Sequence, residues 1–338
     1  LRLVRHAQYA APESYLRFRP NRRGSAIPEI VPEQFTKLLR EGYTLILDAI
    51  EEMAPAIREL AVSLESLFHE VVQVNLYTAW RDLQGFDVHW DDHDVLILQV
   101  YGRKQWRVYR GGRENPLNRD VEPNTEPPEE LAWEGELRDG DVLYLPRGWW
   151  HEAAGCGEPT LHLTFGIPKR TGINLVQWLA DELRAVTEFR ADLPRFADAE
   201  ARTQHMQKLR DALLARWDET LLDRYLASED ERARPRAWVN LPLAAQDEAV
   251  PPLDAVVSLA VARPAAIANG GASITIRALG REWELAAGTE PAFRRLLDGP
   301  ATVEELAGML DGTATVGQTQ TFVADLARRG LLAVRHGG

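Results

Sequence analysis

The sequence predicts an α+β protein in three parts: a β-rich domain of the sandwich or barrel type, a helical region and a small α+β module. Its 338 residues are too many for one ordinary core, because a single domain usually takes about 100–200 residues. The first half carries many short apolar runs separated by Gly- and Pro-containing turns, which is typical of a sandwich or barrel. Apolar residues at helical spacing follow, so the second half has a different architecture.

The composition is that of an ordinary globular protein and excludes several classes. With 45% hydrophobic and 27% charged residues, the chain is not disordered as a whole. The formal charge of −12 disfavours sequence-independent binding to nucleic acid, because such binding relies on cations that release counterions from phosphates. Acidity suits a basic partner, but it also simply keeps a protein in solution. The single cysteine, Cys156, excludes an internal disulfide and a multi-cysteine metal site.

We expect a cytoplasmic protein. We also expect that the natural start of the chain is missing, since the first residue is Leu and not Met. One cysteine fits a reducing compartment, no run of about 18 apolar residues could cross a membrane, and no signal peptide is recognisable. Residues 1–30 are rich in Arg and Pro and show little periodicity. We interpret them as an extended arm or a segment foreign to the natural chain.

Residues 31–170 form the expected β-rich domain. Its first elements are a helix from about residue 31, a short apolar strand at 43–47 and an amphipathic helix at about 54–67. The pattern then changes to period two and to short apolar runs. Further strands are expected at 71–77, 95–101, 105–109, 142–145 and 160–165, with a turn-rich stretch at 111–128 among them.

Residues 171–230 are expected to be helical. One apolar stripe runs through 173–186 and another through 206–221, with an apolar residue at every third or fourth position. The two stripes cannot both be buried by this helix pair alone. They must pack on the β-rich domain, on the third part or on a second copy of the chain, and we expect a homodimer.

Residues 235–338 form the small α+β module. The runs 273–277 and 283–285 alternate like a hairpin, and Thr302 and Glu305 are spaced as a capping box at a helix start. A second helix at about 318–329 and a strand at 331–335 complete an order of helix, turn, helix and strand, which is typical of a winged helix.

The charge of this module argues against DNA binding. From Val250 onwards the sequence has eight Arg and no Lys against nine Asp and Glu, whereas a DNA reader usually presents a basic face. We therefore expect a structural role or partner docking and no direct DNA binding. A small-residue linker is expected at 265–272.

The chemistry lies in the β-rich domain, beginning with His89 and Asp91. On a strand, residues two apart share a face, so an imidazole and a carboxylate would form two adjacent corners of a metal site. The triplet alone is weak evidence, because such spacings arise by chance and a solvated strand end has the same pattern.

A second element, the run from Gly140 to His151, makes the first one specific. A turn, an apolar strand and a second turn deliver His151, and the spacing G-x5-P-x-G-x2-H is that of the second cupin motif. A small antiparallel barrel can bring the two elements together. Two histidines and one aspartate then leave coordination positions open, as in non-haem Fe(II) oxygenases.

These motifs resemble those of the JmjC-type ribosomal oxygenases. The resemblance rests on QGFDVHWDDHD at 84–94, LQVYGRKQWRVY at 98–109, YLPRGWWH at 144–151 and TLHLT at 160–164. The family joins a JmjC (cupin-type) double-stranded β-helix barrel to a helical dimerisation region and a C-terminal winged helix. The resemblance covers most of the chain, from about residue 31 to the end. Specific sequence motifs support it in the barrel, whereas only the order of the domains supports it after the barrel.

The resemblance implies Fe(II), with 2-oxoglutarate and O2 as cosubstrates, and hydroxylation of a histidine or arginine side chain in a ribosomal protein. His89, Asp91 and His151 match the family's iron ligands. Lys104 matches the basic residue that holds the distal carboxylate of 2-oxoglutarate, and it resembles the histidine-directed members slightly better. Nothing in the sequence fixes the target residue.

The alternation around Lys104 supports its role. Lys104, Trp106 and Val108 would share one strand face, and Arg103 and Arg107 the other. A lysine on an apolar face suits a buried carboxylate, which costs several kcal/mol without a partner. The alternative is one more solvated lysine.

Other candidates are weaker. Thr164 resembles a residue beside the cosubstrate, and Asn75 and Tyr77 lie on a strand that could line the cavity, although ordinary packing explains all three equally well. We interpret His162 as a supporting or core histidine, and His93 and Asp94 as rim residues.

Three functions stay open at this point. The first is Fe(II)- and 2-oxoglutarate-dependent hydroxylation of a basic ribosomal protein. The second is the same chemistry on another peptide or a small natural product. The third is a non-catalytic binding or regulatory role on a cupin-type barrel.

Overall fold

The computed structural model describes residues 1–110, 114–120, 127–233, 236, 240–241, 243–261, 263 and 266–335. Parts of the turn-rich stretch 111–128 and of the expected linker 265–272 lie outside these residues. The chain divides into two compact units, Leu1–Lys169 and Arg170–Gly338. The first holds the β-rich domain, and the second holds the helical region and the α+β module. In the described part of the chain, no helix is long and apolar enough to cross a membrane.

The first unit consists mainly of strands. Its elements are β1 Arg2–Arg5, β2 Gln8–Tyr9, β3 Leu16–Pro20, β4 Ala26–Ile30, α1 Pro32–Arg40, β5 Thr44–Leu47, α2 Pro55–Phe68, β6 Gln73–Ala79, β7 Asp94–Tyr101, β8 Lys104–Tyr109, β9 Leu131–Leu137, β10 Val142–Leu145, β11 Trp150–Gly155 and β12 Thr160–Ile167.

Two antiparallel sheets form the β-rich domain. The larger has seven strands in the order β10-β7-β12-β6-β5-β1-β2, and the smaller has three in the order β11-β8-β9. Val95 and Ile97 from the larger sheet pack with Trp106 and Val108 from the smaller one in the core between them. The sandwich or barrel architecture expected from the short apolar runs is therefore present.

Helix α2 covers the outer face of the larger sheet. It begins at Pro55, whose fixed φ and missing N–H suit a first helical turn. Its residues Ala61 and Leu64 pack with Val74 and Phe165 of the sheet, and each fully buried side chain of this kind contributes about 1.5–3 kcal/mol. One face of the sheet is thereby occupied by α2, and the other faces the interior of the domain.

Residues 1–30 are extended, as expected, but they are not an arm outside the domain. β1 pairs with β5 in the larger sheet, and Leu3 and Val4 are completely buried. β3 and β4 form a separate hairpin. The sequence did not indicate β1, because a run of four residues is too short to show a period.

The second unit combines helices with short strands. Its elements are α3 Gly172–Glu182, α4 Thr187–Arg190, α5 Ala199–Leu214, α6 Leu221–Glu231, β13 Val256–Leu259, β14 Ala266–Asn269, β15 Ser273–Ala278, β16 Arg281–Ala286, α7 Glu290–Leu297, β17 Ala301–Thr302, α8 Val303–Met309, α9 Val316–Arg328 and β18 Leu332–Arg335.

The helical stripes are only partly as expected. Leu179, Leu183 and Val186 of the first stripe are buried. The second stripe is not one helix, because α5 ends at Leu214 and α6 begins at Leu221. The expectation was wrong because the break carries no Gly or Pro, and the period continues across it by chance.

The C-terminal elements follow the expected order. β15 and β16 pair as a hairpin, and the capping box of Thr302 and Glu305 is present at the start of α8. α8, α9 and β18 give helix, turn, helix and strand. The expected linker is wrong in part, because β14 lies within it and pairs with β15. Identification of the module as a winged helix stays a prediction.

Candidate metal and cosubstrate site

His89, Asp91 and His151 come together in the first unit. One potential ligand atom from each lies within 4.8 Å of the others. Asp91 Oδ2 is 3.7 Å from His151 Nε2, and the centroids of the two imidazoles are 4.4 Å apart. Two imidazoles and one carboxylate at these separations could hold a single divalent ion and leave positions open for other ligands.

The spacing of His89 and Asp91 predicted that both lie on one face of a strand, but the backbone brings them to His151 in another way. His89 is not on a strand but forms an isolated bridge with His151, through hydrogen bonds from His89 N to His151 O at 3.1 Å and from His151 N to His89 O at 2.7 Å. Gly148 N donates to Asp91 O at 2.9 Å. The loop that carries His89 and Asp91 is therefore tied to the strand that carries His151, and the alternation argument for the first two was wrong in detail.

Both histidines are oriented for metal binding through Nε2. His89 Nδ1 lies 2.8 Å from Asp87 O, and His151 Nδ1 lies 3.1 Å from Trp149 O. An Nδ1–H that donates to a carbonyl leaves the Nε2 lone pair available for a metal. Burial, together with the charge of His89, lowers the pKa of His151 to about 4. His151 is therefore neutral near pH 7, as a ligand must be.

The metal-ligand candidates line a cavity of about 280 Å³ between the two sheets. Tyr77 and Thr164 line it from the larger sheet and Lys104 from the smaller. Asn75 does not line it, and its Oδ1 accepts a hydrogen bond from Ala49 N at 3.3 Å. Of the three weaker candidates from the sequence, the structure thus brings Tyr77 and Thr164 to the cavity. Asn75 is outside the lining and hydrogen-bonds the Tyr77 side chain and the backbone of Ala49.

Lys104 is a buried amine inside this cavity. Its side chain is only 7% exposed, and Nζ lies 3.5 Å from His162 Nδ1 and 5.7 Å from the centroid of Trp106. Burial lowers its pKa to about 8. Among the described residues it has no carboxylate partner. By contrast, Arg103 and Arg107 face outwards and pair with surface glutamates.

A cation in this position fits a ligand with a carboxylate. Burial of an uncompensated charge is costly, and an anion that enters the cavity relieves that cost through charge-assisted hydrogen bonds. Burial also raises the pKa of Tyr77 to about 12, so its hydroxyl stays protonated and able to donate. The donor sets of the cavity therefore fit both an iron ion and a dicarboxylate that also chelates it.

Asp94 was wrongly interpreted as a rim residue. It is buried and accepts hydrogen bonds from the Tyr144 hydroxyl at 2.7 Å and from Arg147 N at 3.0 Å, and Lys169 Nζ is 2.9 Å away. Its role is to join neighbouring strands and turns. His93 lies beside it, with Nδ1 2.9 Å from Asp92 Oδ1 and no place in the metal cluster.

One wall of the cavity was not foreseen. Arg2, Tyr9, Thr44 and Phe86 also line it. The Arg2 guanidinium pairs with Asp48 and donates to the Tyr9 hydroxyl at 2.9 Å. The sequence offered no signal for Arg2 and Tyr9, because residues 1–30 lack a recognisable period.

The comparisons with known proteins agree with this geometry. Residues 52–175 match the JmjC domain family. The chain is 30% identical over 269 residues to the bifunctional lysine-specific demethylase and histidyl-hydroxylase NO66 of Drosophila persimilis, which is 74% of this chain and 37% of that protein. It is 32% identical over 176 residues to ribosomal oxygenase 1 of Rattus norvegicus, which is 49% of this chain and 29% of that protein. The matched part of the chain spans about a third of these relatives' own length.

Solved structures extend the similarity to the fold of most of the chain. The structure of Escherichia coli YcfD has a TM-score of 0.57 at 17% identity and covers 99% of this chain and 86% of YcfD. A second structure is described as YcfD, a ribosomal oxygenase from Escherichia coli, in complex with cobalt and 2-oxoglutarate. Its TM-score is 0.53 at 18% identity, and the match covers 87% of this chain and 78% of that one. At this identity the likeness shows the fold, and the expected JmjC/cupin barrel is confirmed. Residues 52–175 are therefore a JmjC domain, and the resemblance of the chain to the JmjC-type ribosomal oxygenases is confirmed.

Proposed function

We propose that the protein is an Fe(II)- and 2-oxoglutarate-dependent dioxygenase that hydroxylates a histidine or arginine side chain of a ribosomal protein. The observation that carries this proposal is the cluster of His89, Asp91 and His151 in the same cavity as the buried, uncompensated Lys104. The names of the relatives, a histidyl-hydroxylase and a ribosomal oxygenase, support the reaction type and the substrate class.

The metal would be held by Nε2 of His89, Nε2 of His151 and a carboxylate oxygen of Asp91. Bound Fe(II) and 2-oxoglutarate would supply the activation of O2, by which one oxygen atom would enter a substrate C–H bond as hydroxyl and the other would end in succinate, with CO2 released. The hydrogen bonds from the two Nδ1 atoms to carbonyls keep both imidazoles in their ligand orientation.

Lys104 would bind the distal carboxylate of 2-oxoglutarate. Its ammonium group supplies the one positive charge that this carboxylate requires inside an apolar barrel. The hydroxyls of Tyr77 and Thr164 line the same cavity and are further donors. Val95 and Ile97 form an apolar wall that limits the access of water to the reacting groups.

An acidic protein suits a basic substrate. The formal charge of −12 favours the approach of a ribosomal protein, many of whose surfaces must neutralise RNA phosphates. A homodimer through residues 171–230, docking through the C-terminal module and a cytoplasmic location remain predictions that accompany this proposal.

The test is mass spectrometry of ribosomal proteins from the native host, with and without this gene. We expect a mass gain of one oxygen atom on a histidine or arginine that disappears when the gene is absent. Purified protein with Fe(II) and 2-oxoglutarate should restore the mass gain, and the Asp91→Ala variant should not. Turnover only with other peptides or small molecules would favour the second function considered above. Absence of 2-oxoglutarate consumption with every candidate would favour a non-catalytic role.

A further inference from the structure

His162 is a deeply buried histidine that lines the same cavity. It is only 3% exposed, and its ring stacks on Tyr77 at a centroid distance of 4.9 Å and an interplanar angle of 4°. The ring of Trp106 meets it edge-on at 5.5 Å and 82°. Two aromatic neighbours on different sides leave the imidazole little freedom to rotate.

The contact with Lys104 fixes where the proton of His162 lies. Lys104 Nζ is 3.5 Å from His162 Nδ1, and an ammonium group can only donate. Nδ1 is therefore the acceptor and carries no proton. Burial and the charge of Lys104 hold the pKa of His162 well below its ordinary value, so the ring is neutral and its single proton is on Nε2.

The Nε2–H group of His162 is thus a hydrogen-bond donor for which the described residues supply no acceptor. Among the described residues it has no hydrogen-bond partner, although the side chain is buried and lines the cavity. Because Nε2 is not among the fully buried unpaired atoms of the described residues, this N–H opens onto the cavity, where a ligand oxygen can accept its hydrogen bond.

We propose that His162 Nε2 is a second donor to the distal carboxylate of 2-oxoglutarate, beside Lys104, and that Lys104 itself sets His162 as a donor. This inference rests on the proposed function. Lys104 is a compact point charge that gives attraction but little direction, whereas an imidazole N–H in a fixed ring gives direction. The pair offers one positive charge and two donors to a group with one negative charge and two acceptor oxygens.

Binding measurements on the Zn(II)-loaded full chain test the donor role. The His162→Leu variant should bind 2-oxoglutarate about ten- to a hundredfold more weakly, the usual effect of losing a hydrogen bond to a charged group. The His162→Gln variant keeps an N–H donor and should stay within about threefold of wild type. Pyruvate has the same 2-oxo acid end without the distal carboxylate, so its affinity should be equal in all three proteins.

The results that would overturn the inference are equally specific. Unchanged affinity of His162→Leu for 2-oxoglutarate would show that His162 makes no contact with it. Equal losses for 2-oxoglutarate and pyruvate would show a structural role only. Wild-type protein that binds neither compound would contradict the proposed function itself, which is a different outcome from the first two.

The tautomer can be measured without relying on a His162 variant that folds. In histidine-labelled wild type with Zn(II), ¹⁵N NMR should find Nε2 protonated and Nδ1 unprotonated, and addition of 2-oxoglutarate should shift the Nε2–H signal. The spectrum of His162→Gln identifies the resonance among the eight histidines of the chain. A proton on Nδ1, or an Nε2–H signal that does not respond to 2-oxoglutarate, would overturn the proposal.

Discussion

At the scale of single residues, the electrostatic state of Lys104 governs the cavity. Its charge has no carboxylate partner among the described residues, and burial lowers its pKa to about 8. The protonated form is the one that attracts a carboxylate, so the free protein loses its binding-competent form as the pH rises through that value. Tyr77, with a pKa raised to about 12, does not ionise in the same range.

The affinity for 2-oxoglutarate should therefore depend on pH. We expect a constant Kd below about pH 7 and a rise that approaches tenfold per pH unit above about pH 8, because binding then requires uptake of a proton. Titration of metal-loaded protein between pH 6.5 and about 9.5 measures it. Pyruvate is the control ligand, and a flat profile for 2-oxoglutarate would show that Lys104 does not bind it.

Loss of one metal ligand should remove metal binding without unfolding the chain. The His89→Ala and Asp91→Ala variants each lose one of three protein ligands, and we expect Fe(II) affinity to fall at least about a hundredfold and turnover to stop. The matched control is His93→Ala, because His93 lies in the same loop but outside the metal cluster. Anaerobic Fe(II) titration and a thermal melt separate the two effects. A His89 or Asp91 variant that binds iron like wild type would refute the assignment.

Those residues of the site that are identified by local sequence spacing could be predicted. His151 follows from the turn, strand and turn before it, and Lys104 from alternation along one strand. Arg2 could not be predicted, because its place in the cavity depends on the pairing of β1 with β5, which joins residues far apart in sequence. The state of His162 likewise depends on its spatial contact with Lys104.

At the scale of elements, the turn between β7 and β8 decides where Lys104 lies. Gly102 has a φ of 66°, and a Cβ at this position would be 2.1 Å from Pro159 O. The neighbour is backbone in the connection to β12, so it cannot move aside as a side chain could. Glycine is therefore required here twice, for the left-handed conformation and for the close approach.

The Gly102→Ala variant should be clearly less stable than wild type. Gly140→Ala is the matched control, because Gly140 also has a positive φ, 89°, but open space around its Cβ position. Both variants carry a left-handed strain of about 1–2 kcal/mol. Only Gly102→Ala adds the clash, by about 1–3 kcal/mol more, which corresponds to a further fall in Tm of several degrees. Equal melting temperatures for the two variants would show that the turn rearranges freely.

Two strands that the sequence did not predict, β9 and β11, have different physical reasons. β9 was missed because its residues are mostly exposed, and its strand character comes from pairing with β8. β11 has no clear signal of its own, since the turn residues Pro146 and Gly148 directly before it dominate the local pattern. By contrast, α2 and the hairpin of β15 and β16 were predicted well, because their periods are set by local burial on one face.

At the scale of the whole molecule, the helical region leaves several large apolar side chains exposed in a single chain. Met206 and Leu214 on α5, Trp217 after it, and Val176 on α3 are all about half exposed. We expect a second copy of the chain to cover these residues, since contiguous apolar patches mark interaction sites. Leu213 packs against the core of the helical region, so it is a poor choice for testing association.

The dimer is best tested at the exposed residues. We expect the wild-type protein to have twice the 38.0 kDa mass of one chain in sedimentation or light scattering. The double variant Met206→Glu, Trp217→Glu should be a folded monomer, because each apolar side chain removed from an interface forfeits about 1.5–3 kcal/mol. Val142→Glu is the control, since Val142 is an exposed apolar residue of the first unit and should leave the dimer intact. A wild-type particle of 38.0 kDa at high concentration would exclude the dimer. A double variant that unfolds instead of dissociating would show that these side chains stabilise their own chain.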